Sequence, residues 1–66
     1  MNVRLNGSDR ALAEDATVAD AVAVFTTAAT GVAVAVNGEV VPRGAWSGTA
    51  LRDGDRVEVL TAAQGG

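Results

Sequence analysis

The segment VAVAVN, from Val32 to Asn37, is apolar on both of the faces that an extended strand presents: valine alternates on one face with alanine on the other. β-branched residues favour strands, and a strand that is apolar on both faces suits the interior of a sheet. Asn37-Gly38 is typical of a two-residue type I′ turn, so a return strand begins at Glu39 and ends before Pro42. The chain must therefore build a sheet around this hairpin.

Two further segments have the alternating pattern of half-buried strands. Residues Asn2 to Asn6 place Val3 and Leu5 on one face. The turn formers from Gly7 to Asp9 follow, and Arg10 to Ala13 can return as a second short strand, which predicts an opening hairpin.

One amphipathic helix follows this hairpin. Thr17 and Asp20 have the spacing of a capping box, in which the hydroxyl and the carboxylate each accept a hydrogen bond from the backbone at the start of the helix. Gly31 is predicted to close the helix as a left-handed cap. The apolar face of the predicted helix consists of Val18, Ala21, Val22, Phe25 and Ala29.

The last third of the chain holds two apolar anchors and a final strand. Arg43 to Leu51 is predicted to be irregular or one short helical turn, with Trp46 and Leu51 directed into the core. After a tight turn at Asp53-Gly54-Asp55, the segment Arg56 to Thr61 alternates as a strand with Val57 and Val59 inward.

Leu60 points to the opposite side of this last strand. Beside Ala33 and Ala35 it can form an apolar docking patch on the open sheet face.

The order strand, strand, helix, strand, strand, strand predicts an α+β fold in which one helix crosses a small mixed sheet of four to five strands. A chain of 66 residues has room for one core, so we expect a single domain over residues 1–61 and a flexible tail over residues 62–66.

Composition excludes several function classes. The net charge of −3 and the scattered arginines argue against nucleic-acid binding, and no apolar run approaches the roughly 20 residues of a membrane span. No basic segment precedes an apolar one at the start of the sequence, so we expect no signal peptide and a cytoplasmic location. Cysteine, histidine and lysine are absent, which removes most metal sites and most nucleophiles and bases. We expect neither an enzyme nor a bound metal or cofactor.

The chain ends in Gly65-Gly66. Glycine has no β-carbon, so this end has the smallest cross-section that a polypeptide can present and can thread a narrow channel into another protein. The terminal carboxylate is ionised at neutral pH and can attack a nucleotide α-phosphate if a partner supplies the electrostatic stabilisation. The tail can therefore be a substrate.

One pattern runs through essentially the whole chain. It combines the two-strand start, the helix start TVADAV, the stretch VAVAVNGEVVPRGAW and the ending LRDGDRVEVLTAAQGG. This pattern resembles the ThiS family, the sulfur carrier proteins of thiamine biosynthesis, which have the ubiquitin-like β-grasp fold.

The resemblance implies a chemistry and a set of partners. An E1-like adenylyltransferase of the ThiF type would use ATP and magnesium to adenylate the Gly66 carboxylate. A persulfide from a sulfurtransferase or a cysteine desulfurase would convert it to a thiocarboxylate, and a ThiG-type thiazole synthase would take the sulfur. Gly65 would provide the narrow approach. The residues implied in partner binding are Leu60, Ala62, Ala63 and Gln64.

Other functions stay open at this point. The chain also resembles the small subunit of molybdopterin synthase, another β-grasp carrier that ends in two glycines, although NGEVVPR followed by Trp46 favours the thiamine relative. Another sulfur carrier, or a ubiquitin-like interaction module with an unmodified tail, is a further alternative.

Overall fold

The computed structural model describes residues 1–27 and 30–61. Within these ranges the chain forms a five-stranded mixed sheet crossed by one α-helix, which confirms the predicted fold class. The elements are β1 (Asn2–Leu5), β2 (Ser8–Ala11), α1 (Val18–Phe25), β3 (Val32–Val36), β4 (Glu39–Val40), a 3₁₀ helix (Arg43–Gly48) and β5 (Arg56–Thr61).

The strand β5 lies at the centre of the sheet, whose order is β2-β1-β5-β3-β4. It pairs in parallel with β1 and antiparallel with β3, and the two outer strands are hairpin partners of β1 and β3. The strand β5, the last in the described residues, is therefore held by hydrogen bonds on both sides.

The helix start matches the prediction. Thr17 is the N-cap: its hydroxyl accepts a hydrogen bond from the Asp20 N–H, and the Asp20 carboxylate accepts one from the Thr17 N–H at 2.8 Å. This reciprocal box satisfies two backbone donors that the first turn of a helix otherwise leaves without partners. Val18, Ala21 and Val22 are buried in the core, as predicted.

The predicted helix end is wrong. The helix α1 ends at Phe25, and the C-cap Thr26 is extended, with φ −152° and ψ 152°. Its N–H donates the last helical hydrogen bond, to the Val22 carbonyl oxygen at 2.8 Å. Gly31 has the expected positive φ, 69°, but adopts it directly before β3. Ala29, the last predicted face residue, lies outside the described residues.

The predicted opening hairpin has its turn in the wrong place. Asn6 and Gly7 have φ values of 49° and 83°, the pair of positive angles that a type I′ turn requires. The loop is thus two residues long, Leu5 pairs with Ser8, and β2 runs over Ser8–Ala11 instead of the predicted residues 10–13. The second Asn-Gly pair, Asn37-Gly38, forms the same turn as predicted, with φ values of 51° and 87°.

Trp46 is buried and lies in the 3₁₀ helix, which confirms the predicted short helical turn and its anchor. The indole N–H donates to the Val41 carbonyl oxygen at 2.9 Å, so the one polar atom of the ring has a partner. Leu51, the second anchor, is also buried. Its N–H donates to the Ala16 carbonyl oxygen at 3.0 Å and ties this segment to the residues before α1.

Candidate functional site

The sheet has one face covered by α1 and one open face, and β5 contributes to both. Val57 and Val59 point to the helix and are buried, 0% and 1% exposed. The alternate residues point the other way, because successive side chains of a strand lie on opposite faces. Leu60 is 68% exposed on the open face, where the sequence placed it.

Four side chains form an apolar patch on this open face. Ala33 is the register partner of Leu60, and Ala35 is the register partner of Val40 on β4. Directly opposed residues share a face and lie close together, so the two pairs make one surface. Val40 is 77% exposed. The apolar patch therefore consists of Ala33, Ala35, Val40 and Leu60.

The exposure of Val40 on the open face was not predicted from the sequence. The signal was present, because a two-residue Asn37-Gly38 loop fixes the register of the hairpin and places Val40 opposite Ala35. With the register drawn out, Val40 could have been assigned to the open face beside Ala35.

The apolar patch lines a shallow depression with a polar rim. Glu58 lies between Arg56 and Leu60 along β5 and opposite Ala35, and Asn6 completes the edge beside β1. A shallow apolar surface with polar neighbours is typical of a protein docking site, whereas small-molecule sites are concave and enclose their ligand.

Asn6 holds the middle of β5 in place. Its side-chain Nδ2 donates to the Val59 carbonyl oxygen at 3.0 Å, and its Oδ1 accepts from the Val59 N–H at 2.7 Å. The side-chain amide of Asn6 thus makes the two hydrogen bonds to β5 that a backbone residue of β1 would make if the strand continued past Leu5. This role of Asn6 was not predicted, since no local sequence pattern indicates a hydrogen bond to a residue so far along the chain.

Asn37 makes the corresponding bond at the start of β5. Its Oδ1 accepts from the Arg56 N–H at 2.9 Å, and its backbone N–H donates to the Arg56 carbonyl oxygen at 2.8 Å. Both Asn-Gly turns therefore bind the central strand through the asparagine.

The predicted chemical residues follow directly after β5. Thr61, the last described residue, pairs with Val32 at the end of the sheet next to the apolar patch. Gly66, Gly65, Gln64, Ala63 and Ala62 lie outside the described residues, and with them the predicted tail. Their roles, and the predicted boundary after residue 61, stay predictions.

The aspartates of the Asp53-Gly54-Asp55 turn are engaged within the fold. Asp53 accepts a hydrogen bond from the Asn2 N–H at 2.7 Å, and Asp55 accepts one from the Arg52 N–H at 2.8 Å. Over residues 1–27 and 30–61 no three acidic side chains come together as a metal site. These carboxylates act as parts of a turn.

No helix in the described parts of the chain is long and apolar enough to cross a membrane.

Comparison with known proteins agrees with this geometry. The ThiS family model matches residues 3–66, nearly the whole chain. Among solved structures, the chain is similar to the crystal structure of the thiamine biosynthesis protein ThiS from Geobacter metallireducens, with 38% identity and a TM-score of 0.79 over 92% of this chain and 93% of that one. No curated protein matches. A family match of this extent, on a β-grasp fold, shows that the chain belongs to the ThiS family.

Proposed function

We propose that this protein is a sulfur carrier of thiamine biosynthesis and that the carboxylate of Gly66 carries the sulfur. The observation that carries the proposal is the extent of the ThiS family match, which runs from residue 3 through Gly65 and Gly66. The solved structure of a thiamine biosynthesis protein with the same fold supports it.

The first step of the proposed reaction activates Gly66. A carboxylate is a poor electrophile, so one of its oxygens attacks the α-phosphorus of ATP, pyrophosphate leaves, and an acyl-adenylate forms. An E1-like adenylyltransferase of the ThiF type binds the ATP and magnesium and stabilises the developing charge. The carrier itself binds neither of them and acts as a protein cosubstrate.

Sulfur then replaces the adenylate. The terminal sulfur of a persulfide, on a sulfurtransferase or a cysteine desulfurase, attacks the acyl carbon and AMP leaves. A second thiol cleaves the resulting acyl disulfide, so that the sulfur stays on Gly66 as a thiocarboxylate and the two thiols leave as a disulfide. A thiazole synthase of the ThiG type takes this sulfur into the thiazole ring.

In this proposal the folded domain provides the surface on which the partner enzyme docks and so positions the Gly66 carboxylate. Gly66 is the fifth residue after Thr61, so an extended segment would place the carboxylate at most about 18 Å from the end of β5. Leu60 and its register partner Ala33 lie at that same end of the sheet, and Ala35 and Val40 continue the apolar patch toward the middle of β5. A partner that docks on the patch therefore has the carboxylate within reach of its active site. In the same proposal, Ala62, Ala63 and Gln64 contact the partner's channel.

An intact-mass measurement tests the proposal. After incubation with the adenylating enzyme, ATP and a persulfide donor, we expect the mass gain of one oxygen replaced by sulfur, located on Gly66 by fragmentation. A variant extended by one alanine after Gly66 serves as the matched control and is expected to gain nothing. Sulfur on the extended variant, or an unchanged mass of the natural chain, would overturn the proposal.

A further inference from the structure

Two arginines lie side by side on the open face, away from the apolar patch. Arg4 of β1 and Arg56 of β5 are register partners in the parallel pair. Both are exposed, and each alternates with inward-facing valines or leucines on its strand. The two guanidinium groups thus belong to the same surface as Leu60.

The two like charges repel each other in the isolated protein. Like charges directly opposite each other in a sheet destabilise it. Asp9 is the β2 partner of Arg4, and Glu58 is the next outward residue of β5, yet neither carboxylate forms an ion pair with an arginine of this pair. In the part of the chain that the structure describes, the side chains of Arg4 and Arg56 make no hydrogen bond or ion pair.

The pair is also a local exception to the charge of the protein. The chain carries eight acidic residues against five arginines. Extended polyanions such as nucleic acids are repelled by this net charge and by Asp9 and Glu58 beside the pair. A protein surface with one or two carboxylates at the right place fits better, because it can avoid the flanking acids.

The arginine pair lies close enough to the apolar patch for one partner protein to contact both. Arg56 and Leu60 are four residues apart on β5, or about 13 Å at the rise of a strand. A stable protein interface buries about 800 Å² on each side, which is wide enough to cover both. Apolar contacts in the centre and charges at the rim are the usual arrangement of such an interface.

We propose that Arg4 and Arg56 bind an acidic side-chain cluster, one or two Asp or Glu carboxylates, on the partner protein that docks on the apolar patch. This inference rests on the proposed function, since that partner is the adenylating enzyme. Arginine suits the role because its planar guanidinium binds a carboxylate through two parallel hydrogen bonds. The partner's charge relieves the repulsion between the arginines and steers the encounter.

The test compares the double variant R4Q/R56Q with the control R10Q/R52Q, which changes the net charge equally. Arg10 is the register partner of the buried Val3 and so lies off the open face. The association rate and Kd for the adenylating enzyme are measured directly at low and high salt. We expect R4Q/R56Q to weaken binding about tenfold at low salt, and the control less than twofold.

Salt and charge reversal sharpen the result. High salt is expected to make the natural chain and R4Q/R56Q bind the adenylating enzyme with similar rates and affinities, because screening removes the electrostatic steering. R4E/R56E is expected to bind more weakly than R4Q/R56Q. Denaturant unfolding checks that every variant is fully folded under the conditions of the binding measurement, and for R4Q/R56Q the free energy of unfolding is expected to be unchanged or higher.

The outcomes separate the two proposals. Equal affinities for R4Q/R56Q and R10Q/R52Q overturn this inference, while sulfur on Gly66 at saturating enzyme leaves the carrier function standing. If the natural chain binds with the expected arginine dependence but gains no sulfur, the carrier function is wrong and the docking surface stands. No binding by the natural chain overturns both.

Discussion

Val59 and Leu60 are neighbours in the chain but belong to different parts of the molecule. Val59 is 1% exposed against the helix, whereas Leu60 is 68% exposed on the open face. Alternation along one strand therefore separates the residues that stabilise the fold from those that are free to contact a partner. The two properties should respond independently to mutation, and three substitutions test whether they do.

The largest effect on stability is expected on the covered face. Val59→Ala removes two buried methyl groups from the core and is expected to lower the free energy of unfolding by about 2 kcal/mol, measured by urea denaturation. The affinity of the folded fraction for the adenylating enzyme should be unchanged. A loss below about 0.5 kcal/mol, or weaker binding at full folding, would contradict the separation of the two faces.

The second substitution lies at the border between the faces. Asn6→Gly keeps a residue that tolerates the positive φ of 49° but removes both hydrogen bonds to Val59. The Val59 N–H and C=O lose their partners, so we expect a loss of about 1 to 2 kcal/mol. Hydrogen exchange of the Val59 amide should accelerate more than that of the buried Leu51, whose N–H donates to the Ala16 carbonyl oxygen away from the substitution. Unchanged exchange at Val59 would show that water replaces the asparagine without cost.

The smallest effect on stability is expected on the open face. Leu60→Ala should change the free energy of unfolding by less than about 0.5 kcal/mol, because most of the side chain is already in water. Its affinity for the adenylating enzyme should fall about tenfold if the apolar patch is the centre of the docking surface. Val24→Ala is the matched control, since Val24 is 46% exposed but lies on α1. Equal binding of both variants argues against the patch.

Sequence patterns were sufficient wherever the structure depends on local periodicity. The alternation of β5 predicted the exposure of Leu60, and the Thr17 and Asp20 spacing predicted the start of α1. The first hairpin was misplaced because Gly7 to Asp9 are all turn formers, and their composition obscured the Asn-Gly pair one residue earlier. The helix end was misplaced because the positive φ of Gly31 serves the entry into β3.

Local sequence patterns could not predict which residues from distant parts of the chain pair in the sheet. Arg4 and Arg56 come from opposite ends of the chain and meet only because β1 and β5 pair in parallel. The bonds from Asn6 to Val59 have the same origin. Such contacts depend on sheet order and register, which neither composition nor periodicity specifies.

The central position of β5 has a mechanical consequence. A partner that pulls on the chain beyond Thr61, along the axis of β5, loads the ladders to β1 and β3 in shear, so that many hydrogen bonds must break at once. The asparagine side chains at the two hairpin turns add resistance on the same strand. A partner protein can thus pull on the C-terminal residues while the folded domain stays intact.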